Sequence, residues 1–268
     1  MISKQERQKI LEKILDKEEK ITVANVIDKL NKSYMSDIIT YTNFLDLKEL
    51  NLIIPILNSN KIRYEIFSVN ENIEKKILVF LPENYKQNFY DIANEYISCI
   101  KIKPNVKGKL KHKDYMGAIY SLGVKRDLIG DIFADDECAH IFIMKSIEDY
   151  ILTNLTSVGN QEVIVDILDI FNDEVKNLDV SFQSIDIIVP SLRVDAILSE
   201  LYKLSRSIVK DKISKGDLFI NSKNMFFVSE QLKEDDIVSF KKCGKFKMGK
   251  VLRKTKSENL YVNIKKYM

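Results

Sequence analysis

Between Tyr85 and Leu168 the apolar period of the sequence switches repeatedly and in short pieces, and the order of the switches leaves few folds open. A helical period from Tyr85 to about Glu95 leads into an alternating run through Ile97 to Ile102. A second helical stretch, from about Lys113 to Leu122, stops at Gly123, a residue suited to the left-handed position after a helix end. Two strand-like runs follow, Asp131 to Ala134 and Ala139 to Met144, separated by the acidic turn Asp135-Asp136-Glu137. Then comes a helix that Ser146 is predicted to cap, with Asp149 three residues on and Ile147, Tyr150, Ile151 and Leu155 facing inward. Val163 to Leu168 reads as the last strand.

The order βαββαβ is the split-βαβ, ferredoxin-like arrangement, in which two helices cover one face of a four-stranded sheet. RNA-recognition motifs share that topology. The third strand here, Ala139-His140-Ile141-Phe142-Ile143-Met144, lacks the basic and aromatic signature that stacks bases in those motifs, so topology alone does not argue RNA contact.

The flanking segments fit a three-part α+β chain: an N-terminal α+β unit over residues 1–82, the ferredoxin-like (RRM-like) middle over 83–180 and a third unit over 181–268. Ser3-Lys4-Gln5-Glu6 is a capping-box pattern ahead of Ile10, Leu11, Ile14 and Leu15, and Thr22 is predicted to cap a second helix carrying Val26, Ile27 and Leu30. Ile62 to Val69 and Lys76 to Leu81 read as strands. In the last unit, Ser191 after Val189-Pro190 is the predicted cap of a helix burying Leu192, Ala196, Ile197, Leu201 and Leu204. Ser205 caps a shorter helix, with Leu204 and Val209 as a hydrophobic staple, ending near Ser214 before Gly216. Leu218 to Asn221, Met225 to Val228 and Ile237 to Phe240 are strand-like, and a basic tail follows.

The net charge of +3 conceals an asymmetry. Residues 1–180 hold 24 Lys and Arg against 29 Asp and Glu, and residues 181–268 hold 18 against 10. Such a division points to an anionic partner at one end, because each phosphate neutralised releases counterions; a solvated lysine-rich surface explains composition alone equally well. Cys99, Cys138 and Cys243 lack the paired spacing of a zinc site or disulfide framework and read as reduced thiols. The mixed-charge first residues and the absence of a long apolar run predict a cytoplasmic chain with no membrane partner.

The residues Arg193-Val194-Asp195, Ser205-Arg206-Ser207, Gly216-Asp217-Leu218-Phe219-Ile220-Asn221 and Asp236-Ile237 are spaced as in the S-four RNA-binding domain, which this segment resembles. The resemblance implies two short helices packed on a small twisted sheet, presenting basic side chains to an RNA backbone. Physical chemistry agrees: Arg206 stands at the first position of a capped helix, beside the positive end of its dipole, and Arg193 with Asp195 can form an ion pair that orients the guanidinium. The candidate RNA-binding set is Arg193, Ser205, Arg206, Lys210, Lys212, Lys241, Lys242, Lys245 and Lys247, with Lys250, Arg253, Lys254 and Lys256 extending the rim beside Phe246 and Tyr261. A second basic segment, Lys101, Lys103, Lys107, Lys109, Lys111 and Lys113 around Pro104 and Gly108, supplies secondary candidates in Lys109, Lys111 and Lys113, to which Lys125 and Arg126 are added. A soluble loop is an equally good reading of that segment.

From about Lys111 to the C-terminus the order of blocks resembles the YlmH family of bacterial RNA-binding proteins. The residues that carry this are His112-Lys113-Asp114-Tyr115-Met116-Gly117-Ala118, Leu122-Gly123-Val124-Lys125-Arg126-Asp127-Leu128-Ile129-Gly130-Asp131-Ile132 and the terminal constellation. The resemblance implies a cytoplasmic protein on the large ribosomal subunit that contacts rRNA and tRNA and helps to rescue stalled complexes, with a link to cell division in relatives. It implies no cofactor and a monomer when free. Three positions depart from the pattern: Asp235 stands where glycine is usual, Val209 where alanine is usual, and Lys245 in place of an arginine, which keeps the charge and loses the fork.

Catalysis has little to build on. His140 lies in an apolar strand, and His112 and Asp114, two residues apart, do not face each other on a helix. Gly117, Gly123 and Gly130 form no phosphate-cradling fingerprint after a strand. The rival readings are an RNA-modifying enzyme with an unrecognised centre and a protein-interaction scaffold.

Overall fold

Ser3 accepts from the Glu6 N–H while the Glu6 carboxylate accepts from the Ser3 N–H, and helix α1 (Lys4–Glu12) follows from that reciprocal cap. Helix α2 (Lys17–Ser36) begins before Thr22, because Asp16 caps it by accepting from the Glu19 N–H; Thr22 lies inside the helix and its hydroxyl donates to Glu49. The charged run Lys17-Glu18-Glu19-Lys20 hides this start, since the apolar stripe Val23, Val26, Ile27 and Leu30 begins only a turn later. Strand β1 (Thr40–Tyr41), helix α3 (Leu47–Ser59), β2 (Glu65–Phe67) and β3 (Ile77–Phe80) complete this part, with the strands in the antiparallel order β1-β3-β2. Val23, Val26, Ile27, Leu30, Ile53, Leu57 and Phe80 form its core.

The computed structural model describes residues 1–69, 73–82, 85, 88–178, 182–221, 223–255 and 257–267. They group into two compact units, residues 1–179 and 180–268, and the first holds the helices and strands above together with a second sheet.

That second sheet starts after helix α4 (Phe89–Ile92) and the tight turn Ala93–Glu95; of the helix predicted from Tyr85, positions 86 and 87 lie outside the described residues. Then come β4 (Ile97–Pro104), α5 (His112–Ser121), β5 (Ile129–Ala134), β6 (Ala139–Met144), α6 (Glu148–Asn154), β7 (Ser157–Val158), β8 (Gln161–Leu168) and the short α7 (Asp173–Lys176). The strand order β5-β6-β4-β8-β7, antiparallel throughout, is the ferredoxin-like order with one small strand added at the edge. Ile100, Ile102, Ile141 and Ile143 bury one face against Tyr115, Ile119, Ile151 and Leu155. Gly123 takes φ +77 after α5 as its position predicts. Ser146 is not a cap: it lies in the tight turn Lys145–Ile147, and Tyr150 is exposed, its hydroxyl donating to the Leu122 carbonyl at 2.9 Å. On the other face, Gly130 is pressed under aromatic rings, where an added Cβ would come within 2.8 Å of Phe142 Cβ and 2.9 Å of Phe44 Cε1.

The second unit comprises β9 (Phe182–Val189), α8 (Val194–Tyr202), α9 (Arg206–Ser214), β10 (Leu218–Ile220), β11 (Lys223–Asn224), β12 (Ile237–Phe240), β13 (Gly244–Lys254) and β14 (Leu260–Tyr267). Its six strands run in the antiparallel order β11-β10-β12-β13-β14-β9. Val194, Ile197, Leu198, Val209 and Ile213 of the two helices close one face over Ile187, Leu218, Val238, Phe240, Phe246, Met248, Val262 and Ile264. Three expectations change here. Arg193, not Ser191, occupies the cap position of α8, with no side-chain cap bond. Residues 225–228 form a loop rather than a strand. The basic tail is a long β-hairpin, because Phe246 and Met248 alternate with Lys245 and Lys247 and have an apolar layer to pack against. At Gly249, beside register shifts in β13, an added Cβ would stand 2.7 Å from the Asn263 carbonyl oxygen.

Candidate RNA interface

Helix α9 presents the simplest positive site. Ser205 caps it by accepting from the Ile208 N–H, so that Arg206 is its first residue. Helices α1, α2, α3, α5 and α8 each carry an acidic residue in the first turn; α9 carries none. Arg206 and Lys210 are exposed, lie one turn apart on one side of the helix, and have no hydrogen bond or ion pair among the described residues. Both features are unfavourable for the isolated helix, a cation at the positive end of the dipole and like charges at i, i+4, and both suit an incoming phosphate.

Arg193 is arranged differently. Its Nε and Nη2 donate to the two carboxylate oxygens of Asp195 at 3.0 and 3.1 Å, which fixes the guanidinium plane and leaves its remaining edge to solvent. The length of α8, nine residues and about 13 Å, runs between Arg193 and the turn that leads to Arg206, so the two arginines mark opposite ends of a helix rather than one clamp. Lys212 is half-buried and held: its ammonium donates to Asp217 at 3.2 Å and to the Lys241 carbonyl at 3.3 Å, 5.2 Å above the Phe240 ring. It supports the fold of the β12–β13 turn more than it offers charge.

The remaining lysines lie on the β layer. Their alternation with buried Phe246 and Met248 turns Lys245 and Lys247 to the sheet face away from the helices. There Lys245 sits 4.7 Å over the Tyr267 ring, and Arg253 lies 4.9 Å over Tyr261. In the β12–β13 turn, Lys241 stands 5.3 Å over Phe219, and Lys242 is exposed at φ +63. Lys247 is directly opposite Lys265, a like-charge pair that disfavours the sheet, and its ammonium is 2.9 Å from Asp235. Lys247 holds the Asp235 carboxyl below its ordinary range. Asp235 takes φ +70, a region that favours glycine and that Asp is among the few other residues to enter. Lys265 and Tyr267 were not among the sequence candidates; the alternation in Leu260-Tyr261-Val262-Asn263-Ile264-Lys265 was the available signal.

Within the first unit the secondary candidates divide as well. Lys109, Lys111 and Lys113 are exposed at the start of α5, Lys125 and Arg126 at its far end, about 15 Å away for its ten residues. Arg126 lies 5.5 Å over the Tyr120 ring. Lys101, Lys103 and Lys107 are paired with Glu174, Asp166 and Glu137. His140 Nε2 is 2.9 Å from Glu174 Oε1, the satisfied structural role expected of it, and Cys138 Sγ lies 3.9 Å from its Nδ1. Burial raises the Cys138 thiol pKa, the wrong direction for a nucleophile. Burial lowers the His112 pKa, while Asp114 accepts from the Lys111 N–H at 2.8 Å. Among the described residues no group of His, Cys, Asp and Glu is placed to hold a metal ion, and no helix is long and apolar enough to cross a membrane.

A family profile described as "Putative RNA-binding domain in YlmH" matches residues 93–172. The chain is also 22% identical over 225 residues, 84% of its own length and 86% of the other's, to ribosome-associated protein quality control protein P2 of Bacillus subtilis (strain 168). Residues 93–172 are thus similar to the RNA-binding domain of the YlmH family. A solved structure, cell division protein ylmH from Streptococcus pneumoniae, shares 19% identity and a TM-score of 0.47, covering 60% of this chain and 97% of that one. The YlmH profile falls on the ferredoxin-like sheet, so it contains Lys109, Lys111, Lys113, Lys125 and Arg126 and excludes the second unit altogether.

Proposed function

We propose that this chain is a non-catalytic RNA-binding protein that works on the ribosome, in quality control of stalled complexes. The observation that carries the reading is the α9 terminus, where Arg206 and Lys210 stand exposed, unpaired among the described residues and unrelieved by any acid in the first turn. A helix end arranged in this way favours a phosphate through backbone N–H groups, dipole and guanidinium together. Lys241, Lys242, Lys245 and Lys247 extend the positive surface around the β layer, and Arg193 gives an oriented guanidinium at the other end of α8. The names of the YlmH profile and of the Bacillus relative support the RNA and the ribosome respectively. Because the profile covers the ferredoxin-like sheet, the proposal gives that sheet a second contact through the α5 ends. The finer form of the proposal is a three-part cytoplasmic protein, monomeric when free, touching rRNA and tRNA on the large subunit.

The experiment is binding of rRNA fragments and of tRNA to the intact chain and to its Arg206→Ala/Lys210→Ala variant, with sedimentation of each protein in ribosome-containing lysate. Loss of about tenfold or more in RNA affinity, with the variant moving to the top of the gradient, is the expected result. Equal affinity of the two proteins removes α9 from the site. A wild-type chain that leaves the ribosomal fractions at low salt favours a scaffold, and altered nucleotides in RNA from cells that contain it favour an enzyme.

A further inference from the structure

We infer that Phe226 and Phe227 form a stacking wedge for an unpaired nucleobase, so that the RNA held by the C-terminal unit is a helix interrupted by a bulge or internal loop. The inference rests on the reading that this unit binds RNA, and names the form of that RNA.

Every other aromatic ring described in the unit is covered. Phe240 and Phe246 are buried; Phe182 meets the Tyr267 ring edge-on; and Lys266, Lys241, Arg253 and Lys245 lie over Tyr202, Phe219, Tyr261 and Tyr267. Phe226 and Phe227 are 58% and 71% exposed, and neither has a ring or cation against it among the described residues. Two adjacent phenyl rings left in water are unfavourable for the free protein and call for an occupant.

The loop that carries them is held at both ends. The Met225 N–H donates to the Leu218 carbonyl and the Asn224 side-chain amide to the Gly216 carbonyl, each at 2.9 Å, while the position of a Cβ on Gly216 lies 3.5 Å from Phe226 Cε1. On the other side the Glu230 N–H donates to the Phe227 carbonyl at 3.4 Å, and the Glu230 carbonyl accepts from the Val194 N–H at 2.8 Å, the first residue of α8 beside Arg193. The rings are therefore presented on a backbone tied at both ends, the far one to the segment at Arg193, and little conformational freedom is lost when a flat partner arrives. Lys223, exposed and without a partner among the described residues, flanks them, and residues 181–268 carry 18 basic against 10 acidic side chains. Rings bordered by cations fit a base with its phosphate; an apolar peptide has no use for the flanking charge.

The sequence contains no tryptophan, so Phe227→Trp makes a single tryptophan in the intact chain, excited to the red of the tyrosine band. The probes are two RNA duplexes of the same sequence, one fully paired and one with a single extra unpaired adenosine. The expected result is quenching of Trp emission by the bulged duplex alone, with the Phe226→Ala/Phe227→Ala variant losing about tenfold in affinity for the bulged duplex and keeping its affinity for the paired one. Phe227→Leu, which retains apolar bulk without a π face, should behave like the alanine variant. Wild-type affinity of the alanine variant for the bulged duplex overturns the wedge and leaves RNA binding by α9 intact, whereas failure of the wild-type chain to bind either duplex overturns both. Wild-type behaviour of Phe227→Leu, or a wild-type dimer in sedimentation that the alanine variant abolishes, assigns the rings to a protein surface instead.

Discussion

The sheet of residues 97–168 and the sheet of residues 182–267 are both antiparallel and both bury one face under a pair of helices, yet their cations differ in surroundings. In the first, Lys101, Lys103 and Lys107 reach Glu174, Asp166 and Glu137, so cations are answered within the chain. In the second, Lys245 and Arg253 rest on aromatic rings, Lys247 faces Lys265 across the strands while paired with Asp235, and Arg206 and Lys210 have no counterion among the described residues. A shared architecture thus says little about function. What separates the two is that Lys101, Lys103 and Lys107 each have a carboxylate, whereas Arg206 and Lys210 have none among the described residues.

The sharpest way to break this comparison is salt. If about five phosphates are neutralised by the second unit, RNA affinity should fall by roughly several hundredfold between 50 and 200 mM salt. Lys103→Ala should leave that slope unchanged, and a flat titration would erase the distinction. The two crowded glycines come next. Gly130→Ala and Gly249→Ala should each destabilise the chain by about 1–3 kcal/mol in denaturant titrations, since one meets Phe142 and Phe44 and the other a backbone carbonyl. Gly249→Ala should also weaken RNA binding more than Gly130→Ala does. Equal effects on binding would give the two sheets equal shares in the site.

Arg206→Glu sharpens the comparison from the other side. It gives α9 the acidic first turn that the other long helices have, and should raise stability by about 0.3–1 kcal/mol while removing RNA affinity. The smallest expected effect is acid sensitivity at Asp235, which Lys247 holds below its ordinary pKa. A carboxyl lowered in the folded state stabilises the fold above its unfolded pKa, and that contribution is lost as pH falls through the folded value. Asp235→Asn, which tolerates the left-handed backbone, should lower thermal stability slightly at pH 7 and flatten its fall below the ordinary carboxylate range.

The ferredoxin-like order was readable because each of its strands is a short apolar or alternating run and Gly123 marks a stop at φ +77. The Ser3–Glu6 and Ser205 caps were readable because their partners lie three residues away. The pairing of Arg193 with Asp195 was visible because the two lie only two residues apart. Lys247 was not: its carboxylate, on Asp235, is separated by β12 and a turn, and only the register of the sheet brings the two together. The β13–β14 hairpin was hidden by its lysines, whose density resembles a disordered tail until Phe246 and Met248 are given a surface to cover. The α2 start and the Ser146 and Ser191 positions show the limit of cap reading where a charged first turn or a tight turn intervenes.

The second unit closes by pairing its earliest strand with its latest, Phe182 opposite Tyr267 and Val189 opposite Leu260. During synthesis, β9 emerges long before the strand that will zip it in place, so this sheet is finished late and as a whole. Shortening the chain by the width of β14 would strip the neighbours on both sides at once. A tag or a premature stop at that end therefore acts on the entire basic unit rather than on a dispensable extremity.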